Sequence, residues 1–246
     1  MSDLKHILPG EPIPRGSLFH KRRYRVALAY INNLKNRELL LDIGCGNASQ
    51  TEYFAKNFRL TMGIDLQFQR LPEFNNDLIK AGITNIKLMG ANSEGLPFNR
   101  EVFDCVTCFE VLEHVVEQRQ TLAEIWRVLK PNGVVILSVP HRWWLFETHG
   151  ADLPILPWNR IPFFSWLPKT IHDKWARARN YTLKEIGKIV QEAGFTQISI
   201  KLLTAPMDVV KSEKLQKLLR KAIFRNDVTS IPFLASNIFV CAKKCI

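Results

Sequence analysis

At 246 residues, with 46% hydrophobic and 23% charged residues, the chain can bury a full single-domain core and is neither disordered nor an integral membrane protein by composition. No apolar run approaches the ~20 residues that cross a bilayer, and residues 1–16 read as a loose proline-containing arm without the apolar centre of a secretory signal, so a cytoplasmic protein is expected. The formal net charge of +11 excludes little but points to acidic partners: nucleic acid, anionic lipid head groups or acidic metabolites.

The basic residues gather at His20-Lys21-Arg22-Arg23-Tyr24-Arg25 and again over 211–225. Either cluster reads equally well as a solvated helix face. A helix is expected over 17–34. After residue 38, apolar segments alternate with helical periodicities, the pattern of a βαβ chain with a mainly parallel sheet. Strands are expected near 39–43, 59–64, 85–89, 103–109 and 133–139, with helices near 49–57, 68–80 and 117–129 between them. The last of these helices carries Leu122, Ile125 and Leu129 on one face and stops before Pro131-Asn132-Gly133, a turn signal.

The stretch 141–180 breaks the alternation. Trp143, Trp144, Phe146, Trp158, Phe163, Phe164 and Trp166 crowd it, and its prolines preclude long helices. A helix near 182–193, a strand near 195–203, a helix near 209–224 and a strand near 236–243 then follow, with Gly194 where a helix C-cap belongs. One domain over 1–246 is expected, with 1–37 an N-terminal arm and helix and 141–180 an insert on its acceptor side. Cys105 and Cys108 match a C-x-x-C string inside a strand, where positions three apart face opposite ways, so they are expected as buried thiols and not zinc ligands.

Asp42-Ile43-Gly44-Cys45-Gly46-Asn47-Ala48 follows the first strand and opens a helix. Glycines there let backbone pass close to a ligand, and a helix N-terminus offers free N–H groups. The next strand ends in Gly63-Ile64-Asp65, about 20 residues on, where an acidic side chain can accept both ribose hydroxyl hydrogens. Together these features indicate nucleotide binding. A dinucleotide dehydrogenase is disfavoured because the third glycine and a second mononucleotide half are missing.

Three further segments accompany this loop: Ala91-Asn92-Ser93-Glu94-Gly95-Leu96-Pro97-Phe98, the run from Phe103 to Val115, and Leu129-Lys130-Pro131-Asn132-Gly133-Val134-Val135-Ile136. In this order, over roughly 39–140, they resemble the motifs of class I S-adenosylmethionine-dependent methyltransferases, of the methyltransferase type 11 kind. The resemblance implies an α/β Rossmann-like sheet of seven mainly parallel strands in the order 3-2-1-4-5-7-6, the final one antiparallel. It also implies S-adenosyl-L-methionine as cofactor, held by Asp42, Gly44, Gly46, Asp65, Asn92 and Ser93. Two positions depart from the pattern. Ala48 replaces a common third glycine, a change of little cost if its φ is negative. Asn92 replaces an aspartate that accepts the adenine amino hydrogen, and its side-chain oxygen can do the same.

Glu110-x-x-Glu113-His114 begins where the fourth strand ends, at the sheet edge where ligands bind. Glu113 also suits the first turn of a helix, where the dipole favours an acid. The string resembles the divalent-metal site of ubiquinone-biosynthesis O-methyltransferases and of small-RNA 3′-terminal 2′-O-methyltransferases. Leu167-Pro168-Lys169-Thr170-Ile171-His172 resembles a segment of the ubiquinone type that supplies one more histidine. The resemblance therefore implies Mg2+ or another divalent cation on Glu110, Glu113, His114 and His172. Without a metal, His114, His141 and Glu110 are the candidate catalytic groups, an imidazole serving as base. His141 and His149 compete with His172 for the added position, and each reads equally well as a surface histidine.

The aromatic insert suits a lid over a small or lipophilic hydroxylated acceptor, and its tryptophans beside Arg and Lys suit peripheral contact with an anionic membrane. RNA methylation is the alternative, since bases stack on exposed rings. A non-catalytic cofactor-binding assembly or regulatory protein is a third.

Overall fold

The computed structural model describes residue 13 and residues 15–152, 157–158, 162–208 and 210–245. Most of the N-terminal arm and part of the aromatic insert, with the Trp158 side chain, lie outside the described residues.

Helix α1 (Leu18–Ile31) opens with the Ser17 hydroxyl accepting from the His20 N–H at 3.2 Å. Five parallel strands follow: β1 (Leu39–Ile43), β2 (Leu60–Asp65), β3 (Ile86–Gly90), β4 (Phe103–Phe109) and β5 (Leu129–Pro140). Between them run α2 (Thr51–Ala55), α3 (Leu71–Lys80) and α4 (Gln118–Val128). The Pro131-Asn132-Gly133 turn is absorbed into the start of β5, where Asn132 adopts φ 63° and donates its N–H to the Lys244 carbonyl, while the Lys244 N–H donates to the Gly133 carbonyl. The register shifts there between Phe103 and Cys105.

Period-two alternation divides the core. Leu41, Val106 and Cys108 pack on one side of the sheet with Leu122 and Ile125 of α4. Leu40 and Cys105 pack on the other with Val26, Ala27 and Ile31 of α1 and Phe54 of α2. Each fully buried leucine there is worth roughly 2 kcal/mol. The two cysteines thus sit on opposite faces of a strand buried throughout, as their spacing requires.

The insert contributes the two-residue strands β6 (Ala151–Asp152) and β7 (Pro157–Trp158) and a short helix α5 (Lys169–Trp175). A capping box between Thr182 and Glu185 starts α6 (Leu183–Glu192), and Gly194, at φ 93°, ends it. Then come β8 (Thr196–Thr204), α7 (Glu213–Ala222), β9 (Val228–Thr229) and β10 (Ala235–Lys243). β10 lies antiparallel between β5 and β8, giving the order β3-β2-β1-β4-β5-β10-β8-β9. This is the expected seven-stranded arrangement with an eighth, short strand added at the edge, where Val228 and Thr229 pair with Leu203 and Leu202.

The first basic cluster is not a solvated face. His20, Arg22 and Arg23 are buried. The Arg22 guanidinium donates to the carbonyls of Thr204, Ala205 and Phe224, tying α1 to the far end of β8. Burial and the Arg23 charge push the pKa of His20 down to about 3.

Candidate functional site

The site forms where β1, β2, β3 and β4 end. Gly44 takes φ 73° and Gly46 φ 50°, a region that side chains other than glycine enter at a cost. The N–H groups of Gly44 and Cys45 donate to the Ile64 carbonyl at 2.8 and 3.0 Å, folding the loop over the tip of β2. A Cβ on Gly44 would lie 2.3 Å from Val111 Cγ2. The loop therefore presses against the segment that carries Glu110 and Glu113. Ala48 adopts φ 58° while fully buried, so the condition of a negative φ is not met; its left-handed backbone costs roughly 1 kcal/mol.

Asp42 lies beneath this loop. Its carboxylate accepts from the hydroxyls of Thr107, at 2.7 Å, and Thr51, pinning β4 and the start of α2 to β1. Burial pushes its pKa up to about 6, against the opposing effect of the two hydroxyls. Asp65, at the end of β2, accepts from the Gly46 N–H at 2.9 Å and the Gln67 N–H at 2.8 Å. Asn92 accepts from the Glu94 N–H at 3.0 Å, and Ser93 is buried 3.5 Å from the Thr121 hydroxyl. The Asp65 carbonyl receives the Ala91 N–H at 3.2 Å, joining this third loop to the second. The candidate cofactor residues are thus brought together from three successive strand ends.

On the other side of the glycine loop stands Glu110, a non-glycine residue at φ 55°. Its Oε1 accepts from Arg23, from Asn237 at 2.8 Å and from Ser138 at 3.1 Å. Arg23, from the middle of α1, is enclosed with its guanidinium 3.7 Å over the Phe19 ring. Burial lowers the Arg23 pKa, opposed by Glu110, Glu113 and Asp42. Glu110 is therefore bound into an ion pair at the centre of the sheet edge, while its other oxygen, Oε2, lies 4.0 Å from His149 Nε2 and borders the cluster that follows. No local sequence signal announces Arg23, Ser138 or Asn237 as its partners.

Glu113, His114 and His149 each present an atom within 4.8 Å of the others. Glu113 has no solvent exposure, and neither carboxylate oxygen has a hydrogen-bond partner. His149 Nε2 lies 3.6 Å from Glu113 Oε1, and the His114 and His149 rings meet edge to face at 4.9 Å. The buried Nδ1 of His114 also has no partner. Burial and the nearby Glu110 raise the Glu113 pKa. Burial, with the charges of His149 and Arg179, pushes His114 down to about 3. One buried carboxylate and a neutral imidazole, both with free lone pairs, form a donor set suited to a divalent cation.

Two expected residues lie elsewhere. His172 is not in this cluster: its Nε2 lies 3.0 Å from Glu147 Oε2 and its Nδ1 3.0 Å from Asp173 Oδ1. His149 occupies the position foreseen for it, because β6 and the residues before it bring the early insert, not α5, against Glu113. His141 is buried at the junction of β5 and β10, its Nδ1 3.2 Å from the Ala235 carbonyl, and it serves the backbone there.

A family described as "Methyltransferase domain" matches residues 41–137. A ubiquinone biosynthesis O-methyltransferase of Haemophilus ducreyi is 32% identical over 188 residues, covering 70% of this chain and 79% of that protein. One of Pseudomonas fluorescens is 29% identical over 153 residues, 60% of this chain and 66% of its own length, so the match spans about two thirds of that relative. Among solved structures, phosphoethanolamine N-methyltransferase 2 of Haemonchus contortus, in complex with S-adenosyl-L-methionine, superposes with a TM-score of 0.61 at 16% identity, over 98% of this chain and 55% of that one. With the glycine loop, Asp65 and the strand order in place, the chain belongs to the class I S-adenosylmethionine-dependent methyltransferases.

Proposed function

We propose that this methyltransferase transfers its methyl group to a hydroxyl oxygen of a small or lipophilic acceptor, with a divalent cation held by Glu113, His114 and His149. The observation that carries this reading is the buried Glu113 carboxylate, both of whose oxygens lack donors while two imidazoles face it. Burial and the neighbouring Glu110 favour the protonated form of Glu113, and a bound cation would displace that proton and take up its oxygens. The relatives named as ubiquinone biosynthesis O-methyltransferases support oxygen as the acceptor atom.

S-Adenosyl-L-methionine supplies a sulfonium-bound methyl group, and a divalent cation would supply positive charge that lowers the pKa of a nearby hydroxyl. The protein's own residues do the rest. Asp65 and the Gly44–Gly46 loop would hold the nucleoside end, with Asn92 and Ser93 beside the base. The contact of Gly44 with Val111 sets the loop directly against the acceptor segment. That closeness orients the two reactants, the main contribution a methyltransferase makes. Arg23, Ser138 and Asn237 fix Glu110, and with it the turn that aims Glu113 and His114. His114 stays neutral at physiological pH and so can donate a lone pair to a cation, while its lowered pKa makes it a weak proton acceptor. Tyr181 donates to the Leu112 carbonyl at 3.0 Å, closing the insert over this turn.

The test is methyl transfer to a catechol probe by the metal-stripped protein, with and without Mg2+. Activity is expected to vanish with chelator, to return with the ion, and to fall at least about 100-fold in Glu113→Gln. Full activity in excess chelator overturns the metal assignment, and methylation of amines but not hydroxyls overturns the acceptor class.

A further inference from the structure

With His20, Arg22 and Arg23 of the first basic cluster buried, the second cluster is the one wholly at the surface of its helix. Over 211–225 six basic residues face a single acid. Helix α7 lies in this stretch, and none of its residues is buried. Its apolar side chains recur at Leu215, Leu218, Leu219 and Ala222, one helical face, while Lys214, Lys217 and Lys221 occupy the other. Only Leu219 turns inward, toward Trp144 and Phe224. Leu215 is 48% exposed and Leu218 62%.

The helix is fastened by polar contacts instead. Arg220 donates to the Pro206 carbonyl at 2.8 Å and pairs with Asp208, and Gln216 donates to the Met207 carbonyl at 3.0 Å. Leu215 and Leu218 are thus left outward on a helix already anchored to the body.

The apolar surface continues beyond α7. Leu234 packs on the same Trp144–Phe224 cluster as Leu219, and its neighbour Phe233 is 53% exposed. The Phe233 ring meets Trp166 at 5.4 Å, and Trp166 meets Phe163 at 4.9 Å and Trp143 at 6.4 Å. Phe163 and Trp143 are themselves exposed.

We infer that α7 and this aromatic rim form a docking face for an anionic lipid bilayer, with the leucines and rings entering the interface and the lysines meeting the head groups. A basic amphipathic helix with aromatic residues beside it has the chemistry of an interfacial anchor. Nucleobases could stack on the rim rings but would leave the leucine face of α7 uncovered, whereas a bilayer interface takes both. A second copy of the chain would bring two strongly positive helices together. Trp143, Phe163 and Trp166 of the rim belong to the insert that also carries His149, so docking would turn the acceptor side toward the lipid. The inference itself rests on the surface and not on the proposed methylation chemistry.

The experiment is flotation of the full chain with vesicles of phosphatidylcholine alone or mixed with phosphatidylglycerol, across salt concentrations. Binding to the phosphatidylglycerol vesicles that weakens with salt is expected. Leu215→Ser with Leu218→Ser should reduce it about tenfold or more, and Phe233→Ser should reduce it separately. Lys214→Gln with Lys217→Gln and Lys221→Gln should flatten the salt dependence. Cofactor binding and melting temperature are expected to be unchanged in all three. The proposal is overturned by absent or charge-independent vesicle binding, by leucine variants that bind as the parent does, or by retained binding alongside a dimer that Leu218→Ser dissociates. Salt-sensitive RNA binding in place of vesicle binding overturns it equally.

Discussion

Glu147 joins two histidines: its Oε2 lies 3.0 Å from His172 Nε2, and its Oε1 accepts the backbone N–H of His149 at 3.2 Å. Burial opposes charge on both partners, yet the pairing wins: Glu147 is held below the usual carboxylate range and His172 above the usual imidazole range. The pair thus fixes the segment that presents His149 to Glu113. His172→Ala strands a buried carboxylate and is expected to cost about 3 kcal/mol in urea denaturation. It should also weaken Mg2+ binding in calorimetry, although His172 stands outside the cluster. Unchanged affinity in a folded variant would separate the two clusters.

Gly44→Ala asks an alanine to adopt φ 73° with its Cβ in the Val111 side chain. Strain and overpacking together should cost roughly 2–4 kcal/mol. Binding of S-adenosylhomocysteine, followed by calorimetry, should fall by more than the loss of folded protein explains. Gly95→Ala, which meets nothing within 4 Å and has no positive φ, is the control and should behave as the parent.

Asp42 supplies a pH dependence of known sign. Its folded pKa is about 6 against an ordinary 3.8, so the folded state holds the proton more tightly. The resulting stabilisation is complete below the ordinary value and disappears as pH rises to the folded one, a change of about 3 kcal/mol. Asp42→Asn keeps an acceptor for Thr107 and removes the titration. From about pH 4 to 7 the parent should lose stability relative to this variant by that amount, as read from denaturation midpoints. A constant difference across this range would contradict the buried, raised carboxyl.

The Arg23–Glu110 pair should behave as a unit. Arg23→Met alone is expected to cost about 3–5 kcal/mol by leaving Glu110 without its cation. The double variant with Glu110→Gln should cost clearly less than the two single losses added, because the neutral amide still accepts from Asn237 and Ser138. Additive losses would mean that the two side chains act independently.

The part of the molecule that follows local periodicity was legible in the sequence. The strands up to β5 fall within a few residues of expectation, because Leu40 and Leu41 or Cys105 and Cys108 alternate between two cores. The glycine loop and Asp65 were legible because backbone conformation and strand-end spacing dictate them. The acceptor side was not. His149, and not His172, faces Glu113 because the path of a proline-rich insert is set by contacts far apart in sequence. Arg23 reads as one charge in a surface run, yet it meets Glu110 across 87 positions. A charge run does not disclose which of its members turns inward.

β10, the last strand in chain order, lies between β5 and β8. During synthesis the β1–β5 half can pair as it emerges, but β8 joins that half only through β10, and before β10 is made only the two-residue β9 pairs with it. Until then the α6–β8 unit exposes an unpaired edge and the apolar faces of Ile186, Val190 and Leu203. The chain therefore passes through its most aggregation-prone state after β8 is made and before β10 is. Slowing translation between the codons of β8 and β10 should lower soluble yield more than the same delay placed before β5.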